Sequence, residues 1–320
     1  MRIDVHAHYF PKAYMDRFTR LGGDTSYISP AIQGGGEDRE IETRLTTMDA
    51  AGVAIQVLSV SSMFPYFDRE RDAVDSARQA NDLYAEVVAR HPQRLQAFAS
   101  TPLPHVDAAL AELERAMDRL GMIGVTVGTS VMNRSTLDEA FEPFYAELNR
   151  RRATIFVHPV GLGVCSPLIH DFNLSWTIGA PFEDTTFVAH VIKRRILERY
   201  PHLKIIVPHF GGALPLVLDR IDRTMRFFAP DNTEPASVTV KRMWFDTQVG
   251  ARPEILRYAH AVLGADRLVY GSDYPLNYGD AYLRSVNYIR EAGLPAGHAE
   301  KILDHNAARL LGLEPTPNAE

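Results

Sequence analysis

The sequence predicts a closed (β/α)8 TIM barrel, an α/β fold, on three observations. Short β-branched runs alternate with longer amphipathic stretches, the alternation repeats eight times, and several of the short runs are almost continuously apolar, as in Ile205-Ile206-Val207. A strand covered by helices on both faces needs no polar side, so continuous apolar runs indicate a parallel sheet. Alternation of this count suits a closed barrel. An open doubly wound sheet is the competing architecture, but no Gly-X-Gly-X-X-Gly turn follows the first strand, where nucleotide binders of that class carry one. A length of 320 residues alone would allow two domains. Barrels of this size usually form one, so residues 1–320 are expected to make a single domain with loop insertions at its C-terminal face.

Taken in order, strands are expected near Ile3–His6, Ala54–Val60, Leu95–Ser100, Gly124–Gly128, Thr154–His158, Lys204–Pro208, Trp244–Thr247 and Leu268–Ser272. Apolar residues spaced by three and four predict helices over Asp72–Arg90, Val106–Leu120, Glu142–Arg151, Phe187–Tyr200, Pro253–Leu263 and Ala281–Ala292. Two segments break the repeat. Residues 20–37 are polar and hold Gly22-Gly23 and Gly34-Gly35-Gly36, and residues 159–178 hold Cys165, His170, Asn173 and Trp176. Both follow a strand, on the side where barrel active sites lie, so both are candidate lids or pocket walls. The tail from Glu314 to Glu320, with two prolines, is expected to fray.

Composition narrows the function. Hydrophobic residues make up 46% and charged residues 23%, ordinary values for a globular protein. A formal charge of −6 without a Lys/Arg cluster argues against nucleic acid as a partner. No apolar run approaches the roughly 20 residues that span a bilayer, and no signal-peptide core opens the chain, so a cytoplasmic protein without a membrane partner is expected. Cys165 is the only cysteine, which excludes an intrachain disulfide and a Cys-rich zinc module.

The chemistry gathers at strand ends. In Arg2-Ile3-Asp4-Val5-His6-Ala7-His8, two imidazoles two residues apart point to the same side of a strand. That spacing suits chelation of one ion, and imidazole is a common ligand for zinc and its neighbours. His158 ends the fifth strand, His209 the sixth, before Phe210-Gly211-Gly212, and Asp273 the eighth, in Gly271-Ser272-Asp273-Tyr274-Pro275. A single strand-end histidine is often only a satisfied polar residue, and the Asp273 segment reads equally as a capped turn. Four of eight strands ending in His or Asp, on one face of a closed barrel, favour a metal site. His105, in the loop after the third strand, is a minor pocket candidate.

These segments resemble the amidohydrolase superfamily, and within it the amidohydrolase 2 group that contains 2-amino-3-carboxymuconate-6-semialdehyde decarboxylase. The likeness also rests on Met48-Asp49-Ala50-Ala51-Gly52-Val53, His91-Pro92-Gln93-Arg94-Leu95, Trp176-Thr177-Ile178-Gly179-Ala180-Pro181 and Asn306-Ala307-Ala308-Arg309-Leu310-Leu311. The resemblance implies that His6, His8, His158 and Asp273 hold one divalent metal, zinc first and manganese second, while His209 acts as an acid/base outside the ligand set. Asp273 would share in proton transfer. The fourth strand, Val125-Thr126-Val127-Gly128-Thr129, lacks the lysine of binuclear members, so one metal is expected. Trp176 matches a residue lining the substrate pocket, and Arg220 one that reaches a carboxylate substrate in the neighbouring subunit of a homodimer. Independently, Arg220 lies eight residues past Gly212, roughly 12 Å along a helix from its own strand end, too far to serve its own pocket. Pairing with Asp219 or Asp222 is the alternative. The Gly-rich stretch here lacks an arginine that the named decarboxylase carries after its first helix, which puts the substrate in doubt more than the metal. The expected activity is metal-dependent, non-oxidative decarboxylation of an unsaturated or aromatic carboxylic acid. Hydrolysis of a lactone or amide, hydration, or a barrel retained only for binding are the other readings of the same residues.

Overall fold

A computed structural model describes residues 1–25, 28 and 37–313. Among these, eight parallel strands form the barrel: β1 (Ile3–His8), β2 (Ile55–Ser59), β3 (Leu95–Ala97), β4 (Val125–Gly128), β5 (Thr154–His158), β6 (Lys204–Val207), β7 (Trp244–Asp246) and β8 (Leu268–Val269). Regular pairing runs from β1 through β3 and from β4 through β8. The two seams are single parallel bridges, Ala99 with Val125 and Ala7 with Tyr274. Hydrogen bonds reinforce the second seam, from Val5 N to Tyr270 O at 3.0 Å and from Asp273 N to the His6 carbonyl at 2.8 Å. β8 therefore lies beside β1, as the closed-barrel expectation requires.

The covering helices are α1 (Lys12–Arg20), α2 (Glu37–Ala51), α3 (Glu70–Arg90), α4 (Val106–Glu114), α5 (Glu142–Arg150), α6 (Ala180–Lys193), α7 (Leu214–Phe228), α8 (Pro253–Leu263), α9 (Asp280–Glu291) and α10 (Asn306–Leu311). Expected boundaries shift in two instructive places. The stretch expected as one helix over Phe187–Tyr200 starts earlier, at Ala180, because Pro181 suits a first helical turn. It then breaks at Arg195, whose φ is +52°, before a short turn Ile196–Arg199. The strands are also mostly shorter than the apolar runs, so His209 and Asp273 sit in turns beyond β6 and β8, with φ of +55° and +63°. Residues 159–178 contain a short helix Pro167–His170 and a wide turn Ser175–Gly179. Of the 20–37 segment, residues 26, 27 and 29–36 lie outside the described residues, as does the tail 314–320.

The barrel interior is apolar. Ile3, Val5, Ile55, Val57, Phe98, Phe156, Ile206 and Val269 form one buried cluster with residues of α10. Burial of each large aliphatic side chain contributes about 1.5–3 kcal/mol. β1 changes phase within this core. Its pairing with β2 shifts register between Asp4 and Ala7, a bulge. Ile3 and Val5 face inward below the shift; above it His6 faces inward too, its ring 5.0 Å from Phe156. Asp4 faces the helices instead. Burial pushes its carboxyl up to about 6, against the hydrogen bonds it accepts. The donors are Ser272 N and Oγ, Gln56 Nε2, Tyr282 OH and His6 N. A buried carboxylate without such partners would cost several kcal/mol; with them, Asp4 ties β1 to the β8 turn that carries Asp273.

Candidate metal centre

His6, His8, His158 and Asp273 come together at the C-terminal mouth, each offering one donor atom, all within 4.8 Å of one another. Local contacts set the direction of each ring. His6 Nδ1 donates to Asp246 Oδ2 at 2.7 Å, and His158 Nδ1 donates to the Pro159 carbonyl at 2.8 Å. His8 Nδ1 faces the hydroxyls of Ser61 and Ser59 at 3.4 and 3.5 Å. With Nδ1 engaged, Nε2 is the atom each imidazole offers to the centre. His6 Nε2 and His8 Nε2 stand 3.2 Å apart, and Asp273 Oδ1 lies 2.8 Å from His8 Nε2 and 3.4 Å from His6 Nε2. Two imidazole nitrogens converging on one carboxylate oxygen is a donor set that fits a single divalent cation.

Electrostatics agree with that fit at three of the four residues; at His6 burial pulls the imidazole down, but the charge and hydrogen bond of Asp246, with Asp273 behind, raise it. Burial, followed by repulsion from His8 and His6, holds the His158 imidazole well below its ordinary value and therefore neutral, the form that ligates. Burial also lowers His8, against its hydrogen bond to Asp273. Burial works to raise Asp273, but His8 and the neighbouring imidazoles outweigh it and keep the carboxyl ionised.

His209 stands beside the cluster, its ring centroid 5.3 Å from that of His6 and 6.0 Å from that of His158. Its Nδ1 donates to Asp184 Oδ2 at 2.8 Å, so Nε2 is left for the cavity. Burial pulls this imidazole down, yet attraction and hydrogen bonding to Asp184, with Asp246 and Asp273 behind, lift it to about 9. Burial in turn pushes Asp184 up to about 6, partly opposed by His209.

Two buried carboxylates here were not singled out in the sequence. Asp246 ends β7, and besides holding His6 its Oδ1 accepts from the backbone N–H groups of His209 and Gln248, at 3.0 and 2.9 Å. It thereby couples a metal-cluster histidine to the turn of the acid/base candidate. An acidic residue closing the seventh apolar run was the available signal. Asp184 carried none, because it lies in the first turns of α6, between the expected loop 159–178 and the expected helix Phe187–Tyr200. Beside it, buried Glu183 accepts from Thr129 Oγ1 and from the N–H groups of Val160 and Gly163, pinning the segment after β5 to the mouth.

A cavity of about 430 Å³ opens over the cluster, reaching His8, His158, His209 and Asp273 at its floor. Trp176 forms part of its wall and packs against Gly161, where φ is +80° and a Cβ would collide with the indole. Arg220 is placed elsewhere: it is exposed on α7 and does not line this cavity. Among the described residues it makes no ion pair, since Asp219 pairs with Arg223 and Asp222 accepts from Ser237 N. His105 donates to the Phe67 carbonyl, and Cys165 is exposed. No helix among the described residues is long and apolar enough to cross a membrane.

A family model described as Amidohydrolase matches residues 3–313. The chain is 27% identical to 2-amino-3-carboxymuconate-6-semialdehyde decarboxylase of Dictyostelium discoideum, over 98% of this chain and 92% of that protein. It is 31% identical to 6-methylsalicylic acid decarboxylase of Penicillium expansum, over 96% and 94% respectively. A crystal structure of a dihydroxybenzoic acid decarboxylase from a Polaromonas species, with bound manganese and the inhibitor 2-nitroresorcinol, superposes with a TM-score of 0.81 at 25% identity, covering 99% of this chain and 98% of that one.

Proposed function

The chain belongs to the amidohydrolase family, and from that membership we propose that it is a metal-dependent, non-oxidative decarboxylase of an aromatic or unsaturated carboxylic acid. The observation that carries this reading is the donor set of buried His6, His8 and His158 with half-buried Asp273, of which His8, His158 and Asp273 open onto the same cavity as His209. A divalent ion held by those four residues would polarise an oxygen of the acid and stabilise negative charge there. Zinc suits three imidazoles and one carboxylate, and manganese, present in the Polaromonas relative, suits the same set.

The proton chemistry falls to the chain's own groups. His209, kept cationic by Asp184, delivers its Nε2 proton to the substrate carbon that bears the carboxylate. The bond from that carbon to the carboxylate carbon then breaks, its electron pair stays with the ring or alkene, and carbon dioxide leaves. His209 regains a proton from solvent before the next cycle. Asp273 at the cavity floor is the second group placed to relay that proton. A general acid of this kind is worth roughly 10²–10⁴-fold. Trp176, in the wall, offers an apolar surface to a flat substrate.

The site is proposed to be completed in a homodimer, with Arg220 of one subunit meeting the substrate carboxylate in the other. Exposure of Arg220 away from its own cavity supports this, as do the exposed Leu168, Phe172, Phe182, Leu216 and Tyr258 on neighbouring elements.

The test sets carbon dioxide release from a panel of aromatic and muconate-like acids beside ester and lactone hydrolysis by the same sample. Chelation should abolish carbon dioxide release, and zinc or manganese should restore it. His158→Ala and Asp273→Ala should each lose most of about one bound metal equivalent. Hydrolysis without any carbon dioxide release would overturn the reading.

A further inference from the structure

Beyond the polarised centre, the cavity walls decide which acids fit. Resting on the decarboxylase reading above, we infer that the substrate carries a single carboxylate and that its other substituents are uncharged and largely apolar.

Charge is the first argument. Among the described residues lining the cavity there is no lysine or arginine, and Asp273 is the only carboxylate. The residues outside the described ones, 26, 27, 29–36 and 314–320, include no Lys, Arg or His. The buried guanidinium of Arg44 is spent behind the site: it donates to Glu40, Gln56 and the His8 carbonyl and lies over the ring of Tyr274. Arg284 lines a second cavity, of about 350 Å³, that meets this one only at Gln248 and in which Asp280 also takes part. The cluster and His209, with the partner's arginine proposed above, serve one carboxylate. A second one would be desolvated with no partner.

The wall is the second argument. Away from the floor the surface is built from Phe10, Ile28, Trp176, Pro181, Val249 and Leu276. Its remaining polar side chains, Ser61, Ser62 and Gln248, are neutral. The Gln248 side-chain amide forms no hydrogen bond with the described residues; only its backbone N–H is engaged, by Asp246. This amide can meet a hydroxyl or carbonyl substituent but cannot neutralise a charge. At about 430 Å³ the space suits one substituted ring.

The experiment pairs 2-hydroxybenzoates that differ only in carrying a methyl group or a second carboxylate at the same ring position, each free position in turn. Binding of the matching 2-nitrophenols, which have no carboxylate to lose at the reacting position, is measured on metal-loaded protein. The methyl compounds should win by at least roughly 10-fold in both kcat/KM and affinity, the scale of one missing charged hydrogen bond. Leu276→Arg and, separately, Val249→Arg should narrow the gap by a similar factor while metal content and melting temperature are retained. Equal or better handling of the diacids by the unaltered protein overturns the inference, as does an unchanged gap in both folded arginine variants. If the nitrophenol preference holds while no acid releases carbon dioxide, the substrate class stands and the decarboxylase reading falls.

Discussion

Asp246 binds two parts of the site with one carboxylate: Oδ2 orients His6, and Oδ1 holds the backbone of the His209 turn. Asp246→Asn removes the charge and offers an N–H where His6 needs an acceptor, so affinity for zinc or manganese should fall roughly 10–100-fold, the usual scale for a group that orients a ligand. Competition with a chelator of known affinity measures it, and an unchanged constant would remove Asp246 from this role. His209 answers to Asp184 in the same way. His209→Ala should keep the metal and lose at least roughly 100-fold in turnover; departure of the metal would make His209 a ligand instead. In the metal-free protein the pair is charged between about pH 6, where Asp184 ionises, and about pH 9, where His209 loses its proton. Asp184→Asn should move the His209 midpoint down, because the attraction is gone and burial remains. Imidazole NMR titration follows this directly, and an unmoved midpoint would contradict the pairing.

At the level of elements, the mouth depends on a close approach between the turn after β6 and the start of α6. Gly212 has φ of +66°, and a Cβ there would drive into the Pro181 backbone carbonyl. Thr185 Oγ1 bridges the two segments: it accepts from Ala213 N at 2.9 Å, and its one proton lies between the Pro181 and Gly211 carbonyls, at 2.8 and 3.1 Å. This contact sets His209 against Asp184. Gly212→Ala therefore meets both a conformational penalty and a backbone collision, and should cost about 2 kcal/mol or more. Chemical denaturation reads the loss, and a variant as stable as the parent would show that the contact is dispensable. The β1 bulge acts in the same class of effects: it lets a strand begin with apolar residues facing inward and end with two imidazoles facing inward.

At the level of the whole molecule, the proposed dimer makes a demand that a self-contained site would not. Arg220→Ala should raise KM for a carboxylate substrate while leaving metal content intact. Mixing Arg220→Ala chains with His209→Ala chains should produce hybrid dimers that each hold one unaltered site, since each site would draw His209 from one chain and Arg220 from the other. Activity that reappears on mixing supports the shared site. A fully active monomer, measured by sedimentation under assay conditions, would eliminate it.

The barrel, its strand order and the five side chains that gather at its mouth, His6, His8, His158, His209 and Asp273, were legible in the sequence because each signal is local; the division into four ligands and one outside group came from the family resemblance. Apolar runs mark strands, three-and-four spacing marks helices, and a polar residue closing an apolar run is visible without knowing its neighbours. Simple alternation would have set His6 and His8 on the face of Asp4, opposite Ile3 and Val5; only the register shift against β2 brings them inside. The pairing of Asp184 with His209 joins residues 25 apart on a helix and a turn, and that of Asp246 with His6 joins residues 240 apart. Neither distance leaves a periodic trace in the chain. The outward position of Arg220 likewise depends on how α7 lies against its neighbours. Residue types and their spacing thus determined which chemistry is available, whereas tertiary packing decided which buried carboxylate holds which imidazole, since a hydrogen bond between distant segments exists only once the barrel has closed.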